Sequence, residues 1–149
     1  MSIQTEYKNY SVDNKDFKAY LAWDDSVSKA RPGVLVFPEW WGLNIYIQKR
    51  TEQVAELGYL ALGVDMYGEG KTVDNPEEAG SLMNSVLEDK QTIKARVEGP
   101  YNVLKEHALS DSERLGAIGY CFGGALVLNM ARMGTVSYTH LTLPTILLV

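Results

Sequence analysis

The sequence predicts an α/β fold: a mostly parallel sheet with helices on both faces and an antiparallel hairpin at the N-terminus. Three observations carry this prediction. Residues 33–37, 59–64 and 115–118 are short apolar runs without alternation, the pattern of strands covered on both faces. Helical spacing separates and follows these runs, and strands alternating with helices give a parallel sheet with right-handed crossovers. The third run leads directly into Gly119-Tyr120-Cys121-Phe122-Gly123-Gly124, a strand, a sharp turn and a helix start.

In chain order, residues 5–12 and 17–23 are β-rich runs on either side of Asp13-Asn14-Lys15-Asp16. They predict a hairpin at a sheet edge. A polar connection spans residues 24–32. After the run at 33–37, Pro38 ends the strand, and Glu39-Trp40-Trp41-Gly42-Leu43-Asn44 follows as a loop. Residues 45–57 have helical spacing and are closed by Gly58. The strand at 59–64 ends beside Asp65 and a Gly-rich loop over 66–75. Pro76 with Glu77 and Glu78 starts a helix that reaches Asp89. A further helix runs from Gln91 to His107, and Gly99-Pro100 inside it predicts a kink or split. The strand at 114–118 delivers Cys121, and residues 125–133 are helical.

Composition narrows the function. At 149 residues and 46% hydrophobic, the chain forms one domain with a real core. A net charge of -5 and a pI near 5.0 argue against nucleic acid or an anionic membrane as partner. The single cysteine excludes an internal disulfide framework and suits a reducing compartment. Residues 1–13 lack the apolar core of a signal peptide, and no run approaches a membrane span. The expected location is the cytoplasm.

Cys121 is the candidate nucleophile. A turn tight enough to lift its sulfur clear of the sheet leaves no room for side chains two residues before and two after. Gly119 and Gly123 satisfy that need. The helix N-terminus beneath the sulfur favours a thiolate, and the Phe122 N–H is free to face a developing oxyanion. Sites in such sheets lie beyond the carboxyl ends of the strands, where Glu39, Asp65 and Cys121 all stand. Asp65 suits hydrogen bonding to its own loop better than catalysis. His107 precedes the strand that delivers Cys121. It is expected at the opposite rim, roughly 15 Å or more away at 3.3 Å per strand residue, as a solvated helix-end histidine rather than the base.

Two other motifs fail. Gly70-Lys71-Thr72 has the ending of a phosphate-binding loop, but the position of its required first glycine is Asp65. Gly119, Gly123 and Gly124 do not fit the dinucleotide fingerprint.

The first loop and the elbow together carry a resemblance. Val36-Phe37-Pro38-Glu39-Trp40-Trp41-Gly42-Leu43-Asn44, Asp65-Met66-Tyr67-Gly68, Gly119-Tyr120-Cys121-Phe122-Gly123-Gly124 and Asn129-Met130-Ala131-Arg132 are similar to stretches of the dienelactone hydrolase family. The resemblance covers most of residues 5–134 in order. It implies a partial α/β-hydrolase fold whose last strands are missing. It also implies a carboxylic ester or lactone hydrolase with a Cys-His-Asp triad, a small-molecule substrate, and neither metal nor cofactor. On this resemblance Cys121 is the nucleophile, and Glu39 holds the resting thiol and accepts its proton. The backbone N–H groups of Trp40 and Phe122 form the oxyanion hole.

The family places its triad Asp and His downstream of the nucleophile, where this chain changes character. Residues 136–149 contain no Asp, Glu, Lys, Arg or Gly and resemble a translated sequencing adapter. Residues 1–135 are therefore expected to be a truncated dienelactone hydrolase-like domain, inactive for want of its triad partners, and 136–149 a non-native tail. A reading from another class is a non-catalytic α/β fragment whose Cys121 is a structural or redox-sensitive thiol.

Overall fold

The computed structural model describes residues 1–134; the assignment of 136–149 to a non-native tail lies outside them. Five strands form one sheet in the order β1-β2-β4-β3-β5. β1 (Ile3–Val12) and β2 (Lys15–Asp24) are the expected hairpin. Their two-residue turn, Asp13 and Asn14, has φ 52° and 63°, the conformation whose twist matches the flanking strands. β2 also pairs antiparallel with β4 (Leu60–Gly63). β3 (Arg31–Phe37) lies between β4 and β5 (Ser110–Gly119) and is parallel to both. Four strands therefore run the same way, and β2 alone opposes them.

Helices cover both faces. α1 (Ile45–Glu56) starts at Asn44, whose side chain accepts from the Ile47 N–H. It buries Ile47 and Ala55 against Tyr20, Ala22, Val36 and Ala61. The opposite face carries α2 (Pro76–Leu87), α3 (Lys90–Glu106) and α4 (Phe122–Arg132). Val86, Ile93, Val97, Leu104, Leu126 and Met130 pack there on Leu21, Leu35, Phe37, Leu60 and Leu62. Successive residues of β3 thus enter opposite layers, Leu35 and Phe37 one way and Val36 the other. That two-sided burial explains the continuous apolar runs.

Two elements depart from the sequence expectation. α3 runs unbroken through Gly99-Pro100. Pro100 lacks the N–H that would bond the Arg96 carbonyl, at a cost of about 3 kcal/mol. Burial of Ile93, Val97, Pro100 and Leu104 along one stripe offsets that loss. β5 begins at Ser110 rather than 114 because its pairing with β3 is interrupted: Pro32 faces Asp111, but Gly33 faces Leu115. The polar residues between them bulge outward. Asp111 braces them by accepting from the Glu113 N–H at 3.1 Å and from Arg114 Nε at 2.7 Å. Among the described residues, no helix is long and apolar enough to cross a membrane.

Candidate active site

The three parallel strands end at Gly63, Phe37 and Gly119, and Asp65, Glu39 and Cys121 each stand two residues beyond. β3 is where the topology switches. The chain passes from β3 to β4 through α1, then returns to the other side of β3 through α2 and α3 on the opposite face. Open α/β sheets bind ligands in the crevice at such a point.

Cys121 has φ 54° and ψ -114°, a strained backbone that costs of order 1–3 kcal/mol for a side-chain-bearing residue. The flanking glycines make it possible. A Cβ at Gly119 would lie 2.3 Å from the Gly123 carbonyl oxygen, and one at Gly123 would lie 2.4 Å from that of Phe37. The Tyr120 N–H donates to the Phe37 carbonyl at 3.2 Å and ties the turn to β3. Cys121 is exposed, and as N-cap of α4 it makes no capping bond.

Two backbone donors are aimed by their own peptide groups, in which C=O and N–H point in opposite directions. The Glu39 carbonyl accepts from the Gly42 N–H at 3.2 Å, so the Trp40 N–H points away from that turn. The Cys121 carbonyl accepts from the Gly124 N–H at 2.9 Å, so the Phe122 N–H points out of the α4 N-terminus. Among the described residues, neither the Trp40 nor the Phe122 N–H has a hydrogen-bond partner. Glu39 is half-buried, and its carboxylate is likewise unpaired among those residues.

The loop after β4 supports the one after β3. Asp65 is fully buried. Its Oδ1 accepts from the Tyr67 and Gly68 N–H groups at 3.1 and 2.9 Å. Its Oδ2 accepts from those of Lys18 and Gly70 at 3.0 and 2.8 Å. Asp65 is therefore the organiser of its own loop, as expected. It also occupies amides that a phosphate-binding loop would offer to phosphate, and Lys71 pairs with Glu78 at 3.1 Å. Val73 N–H donates to the Trp41 carbonyl at 3.0 Å, and the Tyr67 hydroxyl donates to the Trp40 carbonyl at 2.6 Å. Burial raises the Tyr67 phenol to a pKa of about 12, so it remains a donor at neutral pH. Burial also raises the Tyr120 phenol, against the opposing charge of Arg50.

His107 sits at the start of β5, away from this rim, as C-cap of α3. It is less solvated than the sequence suggests. Its ring packs against Trp23 with centroids 6.4 Å apart, and Nδ1 accepts from the Leu109 N–H at 3.1 Å. Burial first, then Lys8, lower its pKa. Sequence reasoning gave no role to Tyr67 or Arg96. Arg96 Nε donates to the Met66 carbonyl at 2.9 Å, and its guanidinium lies 4.7 Å from the Phe17 ring centroid. The available signal was a cation beside the buried stripe of α3, three residues after Ile93 and four before Pro100.

Comparison with known proteins gives a consistent result. The model of the dienelactone hydrolase family matches residues 17–140. Protein usf of Aquifex pyrophilus is 36% identical over 135 residues, which cover 88% of this chain and 55% of that protein. The carboxymethylenebutenolidase of Pseudomonas putida is 25% identical over 132 residues, with 85% and 56% coverage. The crystal structure of P91, a dienelactone hydrolase-like promiscuous phosphotriesterase from metagenomic libraries, superposes with a TM-score of 0.86 at 31% identity. That alignment covers 90% of this chain and 56% of P91. The chain thus spans about half the length of the curated relatives it matches.

Proposed function

The chain belongs to the dienelactone hydrolase family, and from that premise we propose that its full-length parent hydrolyses small carboxylic esters or lactones through Cys121. Glu39 accepts the thiol proton when substrate binds, and the thiolate attacks the ester carbonyl carbon. The new C–S bond pushes the carbonyl electron pair onto oxygen, where the Trp40 and Phe122 N–H groups stabilise it. Collapse expels the alkoxide, which takes up the proton held by Glu39 and leaves as the alcohol. Water then hydrolyses the acyl-enzyme, its hydroxyl going to the acyl carbon and its proton to sulfur, to release the acid and the thiol. The triad His and Asp are supplied downstream of residue 135, in the parent's remaining strands. Neither metal nor cofactor takes part. We place the reaction in the cytoplasm, where a free nucleophilic thiol stays reduced.

The observation that carries this reading is the exposed Cys121 at φ 54° between two glycines whose Cβ positions are filled by backbone. A structural thiol has no need of such a turn, since buried cysteines serve as small hydrophobes in ordinary conformations. The test is a burst experiment on the full-length parent with p-nitrophenyl acetate, followed by mass spectrometry. The expected result is a stoichiometric burst with acetyl on Cys121, absent in Cys121→Ala. A Cys121→Ala enzyme with an undiminished burst would leave the redox or structural thiol as the better account.

A further inference from the structure

We infer that Tyr67 is a positioning residue that locks the two halves of the oxyanion hole to each other, an inference that rests on the function proposed above. The two donors come from loops far apart in sequence, and no hydrogen bond joins the residues that carry them. Tyr67 touches both. Its hydroxyl donates to the Trp40 carbonyl at 2.6 Å. Its ring lies nearly parallel to that of Phe122, with centroids 6.3 Å apart and 12° between planes.

The consequence for Trp40 is specific. The peptide before its Cα, which carries the N–H, is held by the bond from Gly42 to the Glu39 carbonyl. The peptide after its Cα is held by Tyr67. With both planes fixed, the Trp40 N–H has one direction. On the other side, the Phe122 ring is buried against Tyr67, which fixes the first residue of α4 and the direction of its N–H. Tyr67 itself is only 5% exposed. Its N–H is anchored to the buried Asp65, and the preceding Met66 carbonyl is anchored to Arg96. The clamp is thus mounted on the packed sheet rather than on a free loop. Oxyanion stabilisation depends on donors already in place when charge develops. Loosening their spacing therefore slows formation of the tetrahedral species without weakening ground-state binding.

The experiment uses full-length protein and three readouts: the acylation rate constant with p-nitrophenyl acetate, KM, and the rate of Cys121 alkylation by iodoacetamide, a reaction that forms no oxyanion. Tyr67→Phe keeps the ring and removes the donor. The expected acylation constant falls about tenfold, less than the 10²–10³ typical of deleting an oxyanion donor outright. KM and alkylation are expected to stay within about twofold. Phe122→Leu keeps the hydroxyl and removes the stacking partner, and it is expected to lower the same constant selectively. Unchanged acylation in Tyr67→Phe overturns the clamp, as does a parallel fall in alkylation, which would mean a general structural role. Should Tyr67→Phe not fold, Phe122→Leu decides by the same criteria. Cys121→Ala run alongside separates the premises: retained acylation there overturns the proposed function and the clamp together. Abolished acylation with an unaffected Tyr67→Phe overturns the clamp alone.

Discussion

At Cys121 the backbone bears a conformation that glycine would adopt more readily. Cys121→Gly is therefore expected to raise stability by about 1 kcal/mol while abolishing acylation, measured by denaturant titration and the p-nitrophenyl acetate burst. A destabilised glycine variant would mean that the turn is unstrained. Glu39 yields a second expectation. On the proposed role of Glu39 as acceptor of the thiol proton, Glu39→Gln is expected to keep the fold and to change the reactivity of Cys121 toward iodoacetamide across pH. An unmoved pH profile would remove Glu39 from control of the thiol. The turn at Cys121 was legible in the sequence because its constraint is local: the glycines sit two positions from the cysteine whose backbone demands them, whereas Glu39 was given its role only by family resemblance. Tyr67 and Arg96 were not legible, because their roles depend on which loops meet in space. A tyrosine that donates to a carbonyl 27 positions earlier leaves no short-range pattern.

The elements divide along the same line. The hairpin and the buried strands followed from turn chemistry and unalternating apolar runs. The unbroken α3 and the early start of β5 did not, because tertiary packing carries Pro100 through the helix and a bulge admits polar residues to the strand. Two helical glycines turn this difference into a measurement. A Cβ on Gly80 of α2 meets only Trp40 Cζ3, at 3.7 Å, an ordinary contact. Gly80→Ala is expected to gain up to about 1 kcal/mol from helix propensity. A Cβ on Gly99 of α3 would lie 2.7 Å from Val12 Cγ2 and 3.1 Å from Tyr10 Cε2. Gly99→Ala is expected to lose that gain and lower Tm, since the end of β1 must move away. Thermal unfolding of the pair decides it, and a stabilised Gly99→Ala would show that the hairpin is loosely seated.

For the molecule as a whole, the free side of β5 matters most. Among the described residues β5 pairs only with β3, and Leu115, Ala117 and Ile118 are only half-buried. A strand edge of this kind recruits other chains. If Cys121 is the nucleophile and its triad partners lie downstream, as proposed, the 149-residue chain is expected to aggregate on size-exclusion chromatography and to show near-background turnover of p-nitrophenyl acetate, since a nucleophile without its base retains little catalysis. Replacing residues 136–149 with the genuine downstream sequence is expected to restore both a single species and turnover. A monomeric 149-residue chain with full activity would refute the truncation. The opposite edge, β1, is different: it is exposed, and it carries Glu6 and Lys8, charges that discourage pairing. On the ribosome this asymmetry sets a direction. The hairpin emerges first, β3 must wait for β4 to bridge it to β2, and β5 then joins beyond β3. β4 therefore comes to lie between two strands made before it, and among the described residues only β5 is added on the outside.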